Sequence, residues 1–333
     1  MAAPLTPGNL VVVRIGDGSA ALSNSATPVF LEEHTPADGA LVQSIAMPTA
    51  VNGANRILTN GGSTVSEGAL NRSVDGRFLT LAGYDAVPGT ASVAGTNGSD
   101  VNRIVARVDA AGLVDTSTRL SDAYSTGNIR GAVTDDGTRF WTAGIPSGVF
   151  FVPFGNAADP TTQLSSAPTN VRVPSIYNGQ LYVSSGSSLF NGVNQVGTGL
   201  PSTSGQTTTL LPGLPSGNPF AFVLLNFNAD VPEVDTLYIA DQKGLFKYFF
   251  DGMRWTACGN ITGVLTGLTG TLNGASVTLY ATLGTAAGNA LVTFTDTAAF
   301  GANISAGPFT TLATAAANTV FRGVAFAPDS GPA

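Results

Sequence analysis

The segment Arg72-Ser-Val-Asp-Gly-Arg-Phe-Leu-Thr-Leu-Ala-Gly-Tyr84 reads as strand, turn, strand. Asp75-Gly76 supplies the turn, and alternating apolar residues follow it in the second strand. The pattern returns as Arg130-Gly-Ala-Val-Thr-Asp-Asp-Gly-Thr-Arg-Phe-Trp-Thr-Ala-Gly144. A weaker copy is Arg172-Val-Pro-Ser-Ile-Tyr-Asn-Gly-Gln-Leu-Tyr-Val-Ser-Ser-Gly186. Turns between first and second strands fall at Asp75, Asp136, Asn178, Asp235 and Asn273, with Asp329 closing the series. Their spacing, roughly 40 to 60 residues, fits four-stranded units joined by loops of variable length.

Toward the N-terminus, Leu10–Ile15, 28–33 and Leu41–Ala46 make three strands. At the other end, 322–327 is one strand with no partner after it. Placed before Leu10, it completes a unit of four. The chain is thus expected to be a single all-β domain of six four-stranded antiparallel units. These span 322–333 plus 8–47, 69–119, 130–166, 171–197, 219–257 and 261–314. The Pro/Ser/Gly/Thr-rich stretch 197–217 reads as a surface loop, because the strand rhythm resumes beyond it. No segment sustains a helical period.

The repeated units and the unit shared by both chain ends resemble the six- to seven-bladed β-propellers of secreted bacterial proteins. The resemblance covers nearly the whole chain and implies a six-bladed β-propeller closed by its C-terminal strand. It implies no reaction. The WD and kelch signatures are absent, and no propeller-enzyme motif matches residue by residue.

Composition narrows the function classes. Of 333 residues, 41 are Gly and 19 are Pro, and only 11% are charged, so many tight turns are expected. A net charge of −7 with only two lysines argues against nucleic acid, whose binding needs clustered cations. No run of about 18 apolar residues is present, so no membrane span is expected. The composition suits a secreted or cell-surface protein, and Met1-Ala-Ala-Pro4 reads as a new initiator on a mature chain. Cys258 has no cysteine to pair with and reads as a small buried hydrophobe.

Propellers of this kind line their channel with first strands and bind ligands at one mouth. The resemblance therefore implies that Arg72, Arg130, Arg172 and Arg322, each at the start of a first strand, ring that mouth. Converging guanidinium groups suit an anionic small molecule or an acidic glycan. The structural alternative is that they brace neighbouring blades. Asp17, Asp85 and Asp241 follow second strands and would lie on the same face as partners.

Catalysis has less support. His34 is the sole histidine and falls in a hairpin on the opposite face, which removes a Ser–His–Asp triad and a His/Cys zinc site. A carboxylate pair from Asp85 and Asp241 would serve a glycoside hydrolase, and a Tyr84 base beside an arginine would serve a polysaccharide lyase. A purely structural role in a cell-surface or matrix assembly is the third reading. No cofactor is expected. The oxygen-rich turns Asp135-Asp136-Gly137 and 226–230 are where structural calcium would bind, although neither matches the EF-hand loop. Trp141 and Trp255 offer sugar platforms but sit where packing residues between blades belong.

Overall fold

The computed structural model describes residues 3–157, 159–228 and 233–330. In chain order, β1 (Leu10–Ile15), β2 (Ala26–His34) and β3 (Leu41–Ala46) come first, followed by the short β4 (Thr59–Gly61). Next are β5 (Leu70–Arg72), β6 (Phe78–Tyr84), β7 (Arg103–Asp109) and β8 (Val114–Leu120). A third group is β9 (Ile129–Val133), β10 (Arg139–Gly144), β11 (Gly148–Pro153) and β12 (Thr162–Ser165). The fourth is β13 (Val171–Tyr177), β14 (Gln180–Ser185), β15 (Gly192–Val196) and β16 (Thr208–Leu210). Then come β17 (Pro219–Leu225), β18 (Thr236–Asp241), β19 (Gly244–Phe250) and β20 (Trp255–Thr262). The sixth holds β21 (Leu265–Asn273), β22 (Ser276–Leu283), β23 (Ala290–Asp296) and β24 (Thr310–Thr314). Finally β25 (Val320–Phe326) returns to pair with β1.

The groups β9–β12, β13–β16, β17–β20 and β21–β24 are separate four-stranded sheets, and every pairing is antiparallel. The remaining strands form one nine-stranded sheet. It consists of β25-β1-β2-β3 and β5-β6-β7-β8, joined where β4 pairs with both β2 and β6. First strands touch one another in a closed cycle, β25–β5–β9–β13–β17–β21 and back to β25. Their starts define one face of the ring. The turns after them define the other, the turn face.

Strand alternation explains the packing between sheets. Val11, Val13 and Ile15 of β1 pack on one side with Leu79 and Leu81 of β6. Leu10 and Val12 point the other way and pack with Phe321 and Tyr280. Both faces of β1 are buried over Leu10–Val13, and that part of its sequence is a continuous apolar run. Each such side chain contributes roughly 1.5–3 kcal/mol of burial.

Turn chemistry sets the register. Asn178 (φ 46°) and Gly179 (φ 70°) both take left-handed backbone, so Tyr177 pairs with Gln180 across a two-residue loop. The Asp75-Gly76 turn is longer than a two-residue hairpin. Ser73 N donates to Phe78 O, and the Asp75 carboxylate accepts from Arg77 N and the Ser73 hydroxyl. The fourth unit differs from expectation. Ser188–Phe190 is a single 3-10 turn, and the fourth strand is β16, beyond 171–197 and inside the stretch read as a loop. Thr207-Thr208-Thr209 supplies the β-branched residues that make it a strand amid Ser, Gly and Pro.

Candidate functional site

Three of the four arginines gather where first strands begin. Arg130 Nη1 donates to Val171 O at 3.1 Å and to Asn170 Oδ1. Arg172 Nη1 donates to Asn218 O at 3.0 Å and to Pro219 O at 2.7 Å. Each therefore reaches the start of the next unit's first strand. Arg322 does the equivalent across the closing seam, with Nε on Thr64 O at 3.3 Å. The three residues are 8%, 8% and 1% exposed. Burial pulls Arg172 down to about 10, and neighbouring Arg130 pushes in the same direction. Burial likewise lowers Arg322 to about 10. The Nε groups of Arg130 and Arg172 are buried without a hydrogen-bond partner.

Glu67 is the carboxylate that balances this cluster. It is buried and accepts from Tyr84 Oη at 2.7 Å, from Gly61 N at 2.7 Å and from Asn128 Nδ2. Burial raises its carboxyl above the usual range, although these hydrogen bonds and the Arg130 charge oppose the rise. Glu67 also acts electrostatically on Arg103, a buried residue whose guanidinium holds Thr96 O, Tyr124 O and Gly127 O. Sequence reasoning passed over Glu67. Its signal was there: a lone carboxylate in the Asn/Gly/Ser-rich stretch 48–70, immediately before a first strand.

Arg72 is at the other end. It is the last residue of β5, not the first, and sits beside the turn that follows. There Nε donates to Gly76 O at 3.1 Å, and Nη2 pairs with Asp329 Oδ2 at 2.6 Å. The expectation of four arginines around one mouth thus fails for Arg72, because β5 already begins at Leu70 and leaves Arg72 at its exit.

The axial cavity, about 190 Å³, follows the same division. Its walls start within the first three residues of the first strands, at Leu70, Val173, Ala221 and Thr266, and run to Arg72, Tyr177 and Phe326 on the turn face. Arg130, Arg172 and Arg322 do not line it. They lie at the strand-start end as buried side chains bonded to the neighbouring unit. The wall mixes aliphatic side chains with Asn71, Ser175, Thr266 and Thr269, and Arg72 is its one cation.

No protein-family model matches the chain, and no curated protein does. Solved structures match. A nidogen/laminin complex aligns with a TM-score of 0.53 and 11% identity, over 96% of this chain and 98% of that one. The fold is a β-propeller. A protein of Bacteroides uniformis ATCC 8492, provisionally named a 6-phosphogluconolactonase, aligns at TM-score 0.48 and 14% identity, over 92% of this chain and 82% of that one.

Within the propeller the expected acidic residues do not converge. Asp17 is exposed and accepts from Ser19 N and Oγ, which together lower its carboxyl. Asp85 accepts from Ile57 N, and burial raises it. Asp241 accepts from Asn218 N and Lys243 N beside Arg172. Asp85 follows β6 and Asp241 ends β18, in units on opposite sides of the ring, so they do not form a hydrolase pair. Tyr84 is buried, and burial together with the Glu67 charge pushes its hydroxyl well above the usual range. It holds its proton at neutral pH and cannot serve as the expected lyase base. Asp135 pairs with Arg139, and Asp136 caps Thr138. The stretch 226–230 extends beyond the described residues. No cluster of three metal-ligating side chains occurs among the described residues.

Proposed function

We propose that this chain is a six-bladed extracellular propeller that binds or scaffolds without catalysis. Its ligand is an anionic small molecule held in the axial funnel of the turn face. The supporting observation is the funnel itself: a wall with an aliphatic side and one cation at its rim, Arg72, which is paired through Nη2 with Asp329. A carboxylate with a short apolar body would bury that body against Val173, Ala221 and Val223. Its charge would meet Arg72, whose Nη1 donates to no described residue. The small volume favours a small carboxylate over an acidic glycan, since drug-sized ligands need roughly 300–1,000 Å³.

Thermal unfolding against hexanoate, benzoate, citrate, galacturonate and phosphate tests the reading. Hexanoate or benzoate should raise the melting temperature of the wild type and not of Arg72→Met, which keeps the apolar stem. If millimolar carboxylates leave the wild type unmoved, the funnel is not an anion site.

A further inference from the structure

A second cleft opens on the turn face, between the sheets of β13–β16 and β17–β20. It encloses about 300 Å³. Its aromatic side is Tyr182, Phe250 and Trp255, with the last two ring centroids 5.4 Å apart. Its polar side is Asn178, Gln195 and Glu233. Gln195 is held in place: Nε2 donates to Gly197 O at 3.0 Å and to Gln180 Oε1 at 3.3 Å. That leaves Gln195 Oε1 without a donor among the described residues. The hydroxyl of Tyr182 and the indole N–H of Trp255 are likewise unbonded among them.

Trp141 provides the internal contrast. Its indole N–H donates to Pro201 O at 2.7 Å, and the stretch around Pro201 covers it completely. Trp255 is itself 4% exposed and packed in a core cluster, so only its edge reaches the cleft, and the half-buried rings of Tyr182 and Phe250 supply the accessible aromatic surface. Aromatic faces next to unspent donors and acceptors match the two-sided chemistry of a sugar ring. Its C–H face is apolar and electron-poor, and its rim carries hydroxyls that both donate and accept.

We propose that this cleft is a carbohydrate subsite for one neutral pyranose ring. The ring lies against Phe250, beside the edge of Trp255, and bonds through its hydroxyls to Gln195 Oε1, the Tyr182 hydroxyl and the Glu233 carboxylate. The site is distinct from the funnel and does not depend on it.

The test uses the full chain carrying Trp141→Phe, so that Trp255 is the sole indole fluorophore. Cellobiose, maltose, lactose and di-N-acetylchitobiose are titrated to tens of millimolar, with saturation-transfer NMR in parallel. At least one should perturb Trp255 emission saturably and receive magnetisation transfer on its C–H face. Gln195→Ala should weaken that sugar roughly two- to tenfold, the worth of one hydrogen bond. Phe250→Leu should weaken it as well, and Arg72→Met should leave it unchanged. The proposal is overturned if no sugar gives saturable signals. It is equally overturned if Gln195→Ala and Phe250→Leu, shown folded by their melts, bind as tightly as the parent.

Discussion

Replacing Arg172 with Ala measures what the buried arginines contribute between units. Arg172 Nη1 donates to two carbonyls of the next unit, at 3.0 and 2.7 Å, and the guanidinium lies 4.4 Å from the centroid of the Phe220 ring. Each bond from a charged donor is worth about 1.5–3 kcal/mol. Against this stands the cost of keeping a cation buried, the same cost that lowers its pKa to about 10. Truncation relieves that cost but strands two carbonyls and leaves a hole beside Phe220. The net loss should be about 2–4 kcal/mol. At about 2 °C per kcal/mol for a chain of this size, the melting temperature should fall by roughly 4–8 °C. Scanning calorimetry of wild type, Arg172→Ala and Arg172→Met checks it. Met refills the volume without bonding the carbonyls, so it should recover less than half of the loss. A melting temperature for Arg172→Ala within about 1 °C of wild type would refute the bracing argument.

Two further outcomes follow from the buried charges. Lys247 and Asp296 form a fully buried pair, 2.9 Å apart, and Tyr238 Oη also donates to Asp296 at 2.6 Å. Lys247→Ala should cost about 3 kcal/mol by leaving that carboxylate without its cation, and urea titration would read it. Unchanged stability would show that the remaining donors suffice. The carboxyls of Glu32, Glu33 and Asp296 are all depressed: burial raises them, but hydrogen bonds and, for Glu32, the Arg14 charge more than offset it. Their stabilisation is present above the unfolded carboxylate range, near pH 4, and is lost as pH falls through the lower folded values. Glu67 has the opposite sign, since its carboxyl is raised, so its contribution fades as pH rises. Melting temperature followed from pH 7 to pH 3 should therefore drop on the acid side, and Asp296→Asn should flatten that limb. An acid limb as steep in Asp296→Asn as in wild type would remove Asp296 from the account.

Much of the candidate site was hidden from sequence reasoning. Arg130, Arg172 and Arg322 were visible as a repeated position, but whether their guanidinium groups faced solvent or carbonyls was not. Arg72 shared their local motif, yet it ends a strand of only three residues and falls at the far end. Glu67 was marked only by being a lone carboxylate before a first strand, with no repeat to single it out, and the cleft of Tyr182, Phe250 and Trp255 joins residues from two sheets.

Strand alternation and turn chemistry act between near neighbours in the chain. They are therefore written in the residues, as in Leu10-Val-Val-Val13, in Asn178-Gly179 and in the unpaired strand after Arg322 that closes on β1. Burial and partnership act between groups brought together only by packing. Arg172 meets Pro219 across 47 positions, and Arg72 meets Asp329 across 257. Such pairs depend on where each strand begins and how neighbouring sheets press together. For that reason the assembled ring alone decided that three arginines would brace one end of the channel while the funnel opened at the other.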